Sequence, residues 1–459
     1  MDVNSLKAVY FIGAGGIGMS ALVRYFLSKG MKVGGYDRTP SELTEKLNEE
    51  GAQIYYDESV ECIPTDFLDA ANTLVVYTAA MPNDHVLLQY FRNHGFTIYK
   101  RAQVLGMLTR SSKGLCAAGT HGKTTTSTMT AHLLHQSHVG CDAFLGGISK
   151  NYATNLLLSD SSEYVVIEAD EFDRSFHWLT PYATIITATD ADHLDIYGTE
   201  EAYLESFSHY TSLIQPGGYL VMRHGINLQP RLQEGVKVYT YSTDEGDFHA
   251  ENIRIGGGEI VFDYVSPLGN IQDVQLGVPV AINIENGIAA MALAQISGVT
   301  NEEIKAGMAS FRGVDRRFDF KIKTDKIVYL SDYAHHPEEI KQSILSMRAL
   351  YADKKLTAIF QPHLYTRTRD FYQEFAESLS LLDEVIITEI YPARELPIEG
   401  VSSQLIYDQL RPGMEKTLCK KEDILELLKN KDIEVLMTLG AGDVENYVPQ
   451  ICEILNKRC

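Results

Sequence analysis

Short apolar runs alternate with stretches of helical periodicity along most of this chain, and nearly every run ends in a glycine or a polar cluster. An apolar run bounded by turn residues predicts a buried strand, and a ~3.6-residue period predicts a helix over a sheet face. Ala8–Ile12 is the first such strand. Gly13-Ala14-Gly15-Gly16-Ile17-Gly18 follows, then a helical pattern to Lys29 with Gly30 as its stop. Lys32–Tyr36, Asn72–Tyr77 and Thr97–Tyr99 are the next strands. A second series starts at Leu115–Ala118 and includes Tyr164–Ile167 and Thr184–Thr187. From Gly218 to Val280 the runs shorten. There Val236–Tyr241 and Glu259–Val265, separated by Gly256-Gly257-Gly258 and flanked by Pro267, predict a small antiparallel patch. Asn286–Ser297 returns to an alanine-rich helix, and a third series has strands at Ile327–Leu330, Leu356–Phe360, Glu384–Thr388 and Val435–Leu439.

This alternation predicts an α/β protein with doubly wound sheets. At 459 residues the chain exceeds a single core, and the series break into three expected domains, residues 1–110, 111–314 and 315–459. A formal net charge of −21 argues against non-specific nucleic-acid binding. The six cysteines have no C-x-x-C spacing, so neither a zinc site nor a disulfide frame is expected, and a reducing, cytoplasmic setting fits. No apolar stretch approaches the ~20 residues of a membrane span, and the start of the chain runs straight into a strand without a signal-peptide pattern. We therefore expect no membrane insertion, and a monomer or weak homodimer.

Two glycine loops carry the chemistry. Gly119-Thr120-His121-Gly122-Lys123-Thr124-Thr125 lies between a strand and a helix. Its backbone N–H groups suit phosphate oxygens, Lys123 suits the β/γ-phosphates, and the Thr124 hydroxyl suits Mg²⁺. The wider G-x-x-x-x-G-K-[ST] pattern would want glycine at 117, where this chain has Ala117. Gly13, Gly15 and Gly18 form G-x-G-x-x-G, with Asp37 ending the next strand. That loop suits a diphosphate at a helix N-terminus, owned by a dinucleotide or by a UDP-sugar. A dehydrogenase has no need of Lys123-Thr124, and a simple ATPase has no need of the first loop. A nucleotide-linked substrate beside ATP satisfies both.

Together with Glu-Ala-Asp-Glu (168–171), Asp-His-Leu-Asp (192–195), Asn-Ile-Glu-Asn (283–286), Arg-Arg-Phe-Asp (316–319) and Asp-Tyr-Ala-His-His-Pro (332–337), these loops resemble the ATP-dependent Mur ligases of peptidoglycan synthesis. Gln361–Asp370, Tyr391–Glu395 and Gly440–Asp443 resemble the alanine-adding branch. The resemblance implies a Rossmann-like UDP-binding domain, a central P-loop ATPase domain and a C-terminal Rossmann-like domain. It implies ATP and Mg²⁺, with UDP-N-acetylmuramate and L-alanine as the partners joined through an acyl phosphate. It also implies roles. Gly13, Ala14, Gly15, Gly16, Ile17, Gly18, Asp37 and Thr78 would hold the UDP-substrate. Thr124, Glu168 and His193 would hold the metal, with Asp170 and Asp192 behind them. Lys123, Glu168, His193 and Arg317, with Arg316 beside it, would be catalytic. Gly119 to Thr125, Asn283, Asn286, Arg317 and Asp332 would bind ATP. Tyr333, His335, His363 and Arg367 would bind the amino acid, with Arg369 as a further cation. The chain departs from the family pattern at Ile282, where histidine is usual, and at Leu364, where arginine is common. Between His193 and Met222 there is no lysine, and Ser208 stands where relatives carry a carbamylated one, as the alanine-adding branch implies.

Overall fold

The computed structural model describes residues 6–190, 194–256, 258–393 and 395–458. The chain divides into two compact units. One is Met1–Glu251, Asp263–Val274 and Glu285–Arg312; the other is Asn252–Phe262, Gln275–Ile284 and Gly313–Cys459.

The first unit opens with a five-stranded parallel sheet. Its strands are β1 (Ala8–Ile12), β2 (Lys32–Tyr36), β3 (Gln53–Tyr55), β4 (Thr73–Tyr77) and β5 (Thr97–Lys100), in the order β3-β2-β1-β4-β5. Every residue of β1 is buried, because helices cover both faces. The order reverses direction beside β1, and the first glycine loop leaves β1 at that switch point, where such sheets bind ligands.

A seven-stranded sheet follows: β6 (Lys113–Ala118), β7 (Asp142–Ser149), β8 (Thr154–Leu157), β9 (Tyr164–Ala169), β10 (Pro181–Ile186), β11 (Tyr219–Arg223) and β12 (Lys237–Tyr241), in the order β12-β11-β10-β6-β9-β7-β8. Only the β7–β8 pair is antiparallel among the described pairings of this sheet. The run Val236–Tyr241 thus differs from its expected place in an antiparallel patch. Over Lys237–Tyr241 it pairs parallel with β11 and extends the central sheet. A separate three-stranded sheet contains β13 (His249–Gly256), β14 (Glu259–Val265) and β15 (Ile271–Gln275), in that order.

The second unit is built on β16 (Asp319–Lys323), β17 (Val328–Asp332), β18 (Leu356–Phe360), β19 (Glu384–Ile387), β20 (Glu415–Leu418) and β21 (Val435–Leu439), in the order β16-β17-β21-β18-β19-β20. β16 alone runs antiparallel here, among the described pairings. The carboxyl ends of β17, β21, β18 and β19 therefore lie side by side. No helix among the described residues is long and apolar enough to cross a membrane.

Candidate functional site

β6 is the middle strand of its sheet, flanked by β9 and β10. The second glycine loop springs from its end and turns into the helix Lys123–His135. Two residues make the turn possible. Gly119 has φ +131°, and a Cβ there would lie 2.1 Å from Thr187 Oγ1, just past β10. Gly122 has φ +80° at the helix N-cap, and a Cβ there would lie 2.8 Å from Asn286 Oδ1. Thr187 donates to Ala118 O at 3.1 Å and also to His121 O. Thr120 Oγ1 donates to Asp190 O at 2.7 Å and lies 2.9 Å from the Tyr203 hydroxyl. Asn286 Oδ1, on the helix Ile282–Ile296, accepts from Thr126 Oγ1 at 3.3 Å, which ties Asn286 to the helix that follows the loop. Asn283, one turn earlier, is buried and donates to Val278 O at 3.3 Å.

Lys123 folds back over its own loop. Its ammonium donates to Gly119 O at 2.7 Å, to Thr120 O at 3.2 Å and to Glu171 Oε1 at 2.8 Å. Glu171 is 1% exposed and the Lys123 side chain 13% exposed, so this ion pair is largely buried. Burial pushes the Glu171 carboxyl up to about 7, against the lowering influence of Lys123. The Lys123 pKa is raised: burial works to lower it, but Glu171, Glu168 and Asp170 together outweigh that.

Glu168 sits on β9 directly opposite Ala117 of β6. Gly146 of β7 presents a bare face to it, where a Cβ would be 1.9 Å from Glu168 Oε2. That oxygen is buried and accepts no hydrogen bond from the described residues. A buried carboxylate oxygen without a donor suits a cation. Among the described residues no three His, Cys, Asp or Glu side chains are gathered to hold a metal ion. Mg²⁺ brought by a triphosphate needs only one or two carboxylates and keeps phosphate and water as its other ligands, so Glu168 with the Thr124 hydroxyl fits it. His193 and Asp192 lie outside the described residues.

The first loop has its own architecture. Gly13 has φ +87° and packs against Thr78, where a Cβ would meet Thr78 Cγ2 at 2.7 Å. Gly13 and Ala14 both donate to Tyr36 O, at 2.8 and 3.0 Å. Asp37 accepts from Gly15 N at 2.7 Å, so its carboxylate shapes the loop. Gly16 caps the helix Ile17–Ser28, whose first turn carries no acidic residue to cancel its positive end. Asn155 of β8 donates to Ile17 O at 2.6 Å and accepts from Arg24 at 2.5 Å, which ties this helix to the central sheet.

Sequence reasoning missed what lies between the loops. Arg101, first residue of the helix Arg101–Ser111 after β5, pairs with Asp170 Oδ2 at 3.0 Å. The carboxylate run at the end of β9 therefore serves both sides, Asp170 toward Arg101 and Glu171 toward Lys123. A cavity of about 120 Å³ is lined by Gly18, Arg101, Gly146, Glu168 and Asp170, among others. The usable signal was position: Arg101 follows a strand end, and Asp170 and Glu171 follow Glu168.

In the second unit, the predicted amino-acid residues come together. Tyr333 and His335 rings lie 5.3 Å apart, His335 and His363 5.9 Å, and Arg367 Nη1 is 3.4 Å from His363 Nδ1. Arg316 and Arg317 stand 4.7 and 5.1 Å over the Tyr333 ring. Burial lowers the His335 pKa, which favours its neutral form. Asp332 is buried and accepts from Phe318 N at 3.2 Å and from Ser343. Burial raises its pKa. Arg369 Nε donates to Asp370 Oδ1 at 2.7 Å. Leu364 caps the helix Tyr365–Leu379 at φ +71°, a strained conformation for leucine.

Family models match three consecutive stretches. They are described as Mur ligase family, catalytic domain (residues 8–113), Mur ligase middle domain (117–294) and Mur ligase, glutamate ligase domain (316–443). The chain is 79% identical over 458 residues to the UDP-N-acetylmuramate–L-alanine ligase of Phocaeicola vulgatus, covering 100% of both chains. It is 62% identical to the same-named protein of Parabacteroides distasonis, covering 100% of this chain and 99% of that one. A crystal structure of UDP-N-acetylmuramate–alanine ligase from Thermotoga maritima matches with a TM-score of 0.84 at 26% identity, over 98% of this chain and 100% of that one. This chain belongs to the Mur ligase family.

Proposed function

We infer that this protein is an ATP-dependent ligase of peptidoglycan precursor synthesis, joining L-alanine to the lactoyl carboxylate of UDP-N-acetylmuramate with release of ADP and phosphate. The observation that carries this reading is likeness over full length to chains named for that reaction. The two glycine loops in one compact unit, joined by a carboxylate run, support it.

A carboxylate is a poor acylating agent, so it needs activation. One lactoyl oxygen bonds to the γ-phosphorus of ATP while that phosphorus loses its bond to the β–γ bridging oxygen, and ADP departs. The alanine amine then bonds to the carbonyl carbon, gives up a proton, and the carbon–oxygen bond to phosphate breaks. Little covalent chemistry falls to the protein; positioning and charge neutralisation supply the rate.

We assign the parts as follows. The N–H groups of Gly119 to Thr125 hold the phosphates, and Lys123 leaves Glu171 to neutralise them. Thr124, Glu168 and His193 would hold Mg²⁺, which when bound neutralises charge on the transferring phosphoryl group. Asn283 and Asn286 face adenine, Asp332 the ribose, and Arg317 the phosphates. Gly13 to Gly18, with Asp37 and Thr78, form the UDP-substrate side. Tyr333, His335, His363 and Arg367 receive alanine, with Arg367 as the carboxylate fork. Domain boundaries near residues 110 and 314 fit the three sheet-bearing stretches.

The test is phosphate release from Mg·ATP with UDP-N-acetylmuramate, screened against single amino acids and the L-alanyl tripeptide of the mature peptide. Release with L-alanine and little else is expected. Release with the tripeptide alone would move the protein to recycling, and an absence of release with any acceptor would overturn the ligase reading.

A further inference from the structure

The three glycines of the G-x-G-x-x-G pattern, Gly13, Gly15 and Gly18, have separate jobs, and the third has one that a dinucleotide fingerprint does not explain. Gly13 needs its positive φ, and Gly15 lies under Asp37. Gly18 is inside the helix Ile17–Ser28 and has no such requirement. A Cβ on Gly18 would lie 2.1 Å from Arg101 Nη1. The guanidinium thus rests on the bare first turn of the helix. Its other end, Nη2, is 3.0 Å from Asp170 Oδ2. The side chain is 23% exposed, so it is held yet open to the cavity.

The charges of that cavity are unequal. Glu168 and Asp170 line it, and Arg101 is the basic side chain among its lining residues. An anion entering would meet two carboxylates at close range, a repulsion that grows as water is displaced. Arg101 is placed to offset it, with a planar fork matched to carboxylate or phosphate oxygens. Asp170 engages it through Nη2, while Nη1 is directed to the helix end that suits a diphosphate.

We propose that Arg101 grips an oxyanion of the UDP-linked substrate, and that Asp170 is the positioning residue that aims the guanidinium over Gly18 beforehand. This rests on the UDP-N-acetylmuramate reading above and adds to it a residue and a reason for the third glycine. The oxyanion is either the lactoyl carboxylate or the diphosphate; both belong to one substrate and are separable by choice of ligand.

Isothermal titration calorimetry on the full-length protein tests this with UDP-N-acetylmuramate, with UDP-N-acetylglucosamine, which has the diphosphate but no lactoyl carboxylate, and with Mg·ATP. Arg101→Ala is expected to weaken UDP-N-acetylmuramate by about tenfold or more. Mg·ATP affinity should stay within about twofold and the melting temperature within about 2 °C. Arg101→Lys should restore only part, because an ammonium has no fork. Gly18→Ala should also weaken the UDP-sugar, although alanine is the better helix former. Asp170→Asn should cost less than Arg101→Ala. Weakening toward both sugars identifies the diphosphate; weakening toward the muramate alone identifies the carboxylate. Unchanged UDP-N-acetylmuramate affinity in Arg101→Ala and Arg101→Lys would overturn the proposal, as would a parallel fall in ATP affinity and melting temperature. Wild-type protein that binds no UDP-N-acetylmuramate would instead overturn the function itself.

Discussion

The two glycine loops solve one problem in opposite ways. The loop at Gly119–Lys123 carries its own cation, and Lys123, largely buried, is held against a carboxylate that is 1% exposed. The loop at Gly13–Gly18 has no cation, and Arg101 is brought to it from the end of β5, partly exposed. Both cations rest on neighbouring residues of the run after β9, so one strand end organises both loops. The difference lies in the cost of disturbance. Removing one partner of a buried pair strands a charge, whereas an open pair is screened by water.

The largest effect should come from the buried side. Lys123→Ala should lower turnover by about 10³-fold, measured as phosphate release under saturating substrates. It also strands Glu171. Without the lysine's lowering influence, that carboxyl moves above its present value of about 7. A raised carboxyl pKa contributes stability that is fully present below the unfolded value and lost as pH rises through the folded one. The melting deficit of Lys123→Ala against wild type should therefore be larger at pH 8.5 than at pH 6. An equal deficit at both would contradict the buried-pair account.

Acid should separate the loops next. His132, on the helix of the second loop, is 4% exposed and lies 2.8 Å from the Tyr152 hydroxyl and 3.0 Å from Ser310 Oγ. Burial lowers its pKa to about 4. A depressed folded pKa gives stability that is present above the unfolded value of 6.5 and is lost as pH falls from there toward 4. The loss should reach about 3 kcal/mol. Denaturant unfolding at pH 7.5 and pH 4.5 checks it, and His132→Gln should flatten the dependence. The helix of the first loop has no histidine and should keep its amide protection longer in acid.

Smaller contrasts sharpen the point within each loop. Gly119→Ala forces alanine to φ +131° and onto Thr187, which should cost about 1–3 kcal/mol and weaken Mg·ATP binding. Gly16→Ala has φ −66°, with its nearest foreign atom at 3.7 Å. It should stay within about 0.5 kcal/mol of wild type. A Gly119→Ala protein as stable and as tight for Mg·ATP as Gly16→Ala would break the comparison.

Much of this architecture was legible because buried parallel strands announce themselves. Ala8–Ile12, Lys32–Tyr36, Leu356–Phe360 and Val435–Leu439 are the strands observed, residue for residue. β7 was not, because Gly146 and Gly147 interrupt its apolar run, and the first of these is needed to let Glu168 approach. β16 alternates exposed charges along an edge strand and resembles a loop. Val236–Tyr241 was placed in the wrong sheet, since alternation reports one wet face and says nothing of the partner strand. The loops could be read because phosphate binding constrains contiguous residues. The Arg101–Asp170 pair, 69 positions apart, is set by sheet order, which no local pattern encodes.

The central claim is that both loops serve one reaction through an acyl phosphate. Enzyme supplied with UDP-N-acetylmuramate labelled with ¹⁸O in the lactoyl carboxylate, Mg·ATP and L-alanine tests it directly, by mass spectrometry of the phosphate released. The account predicts one carboxylate oxygen in the phosphate per amide formed. Amide formation with unlabelled phosphate would contradict it.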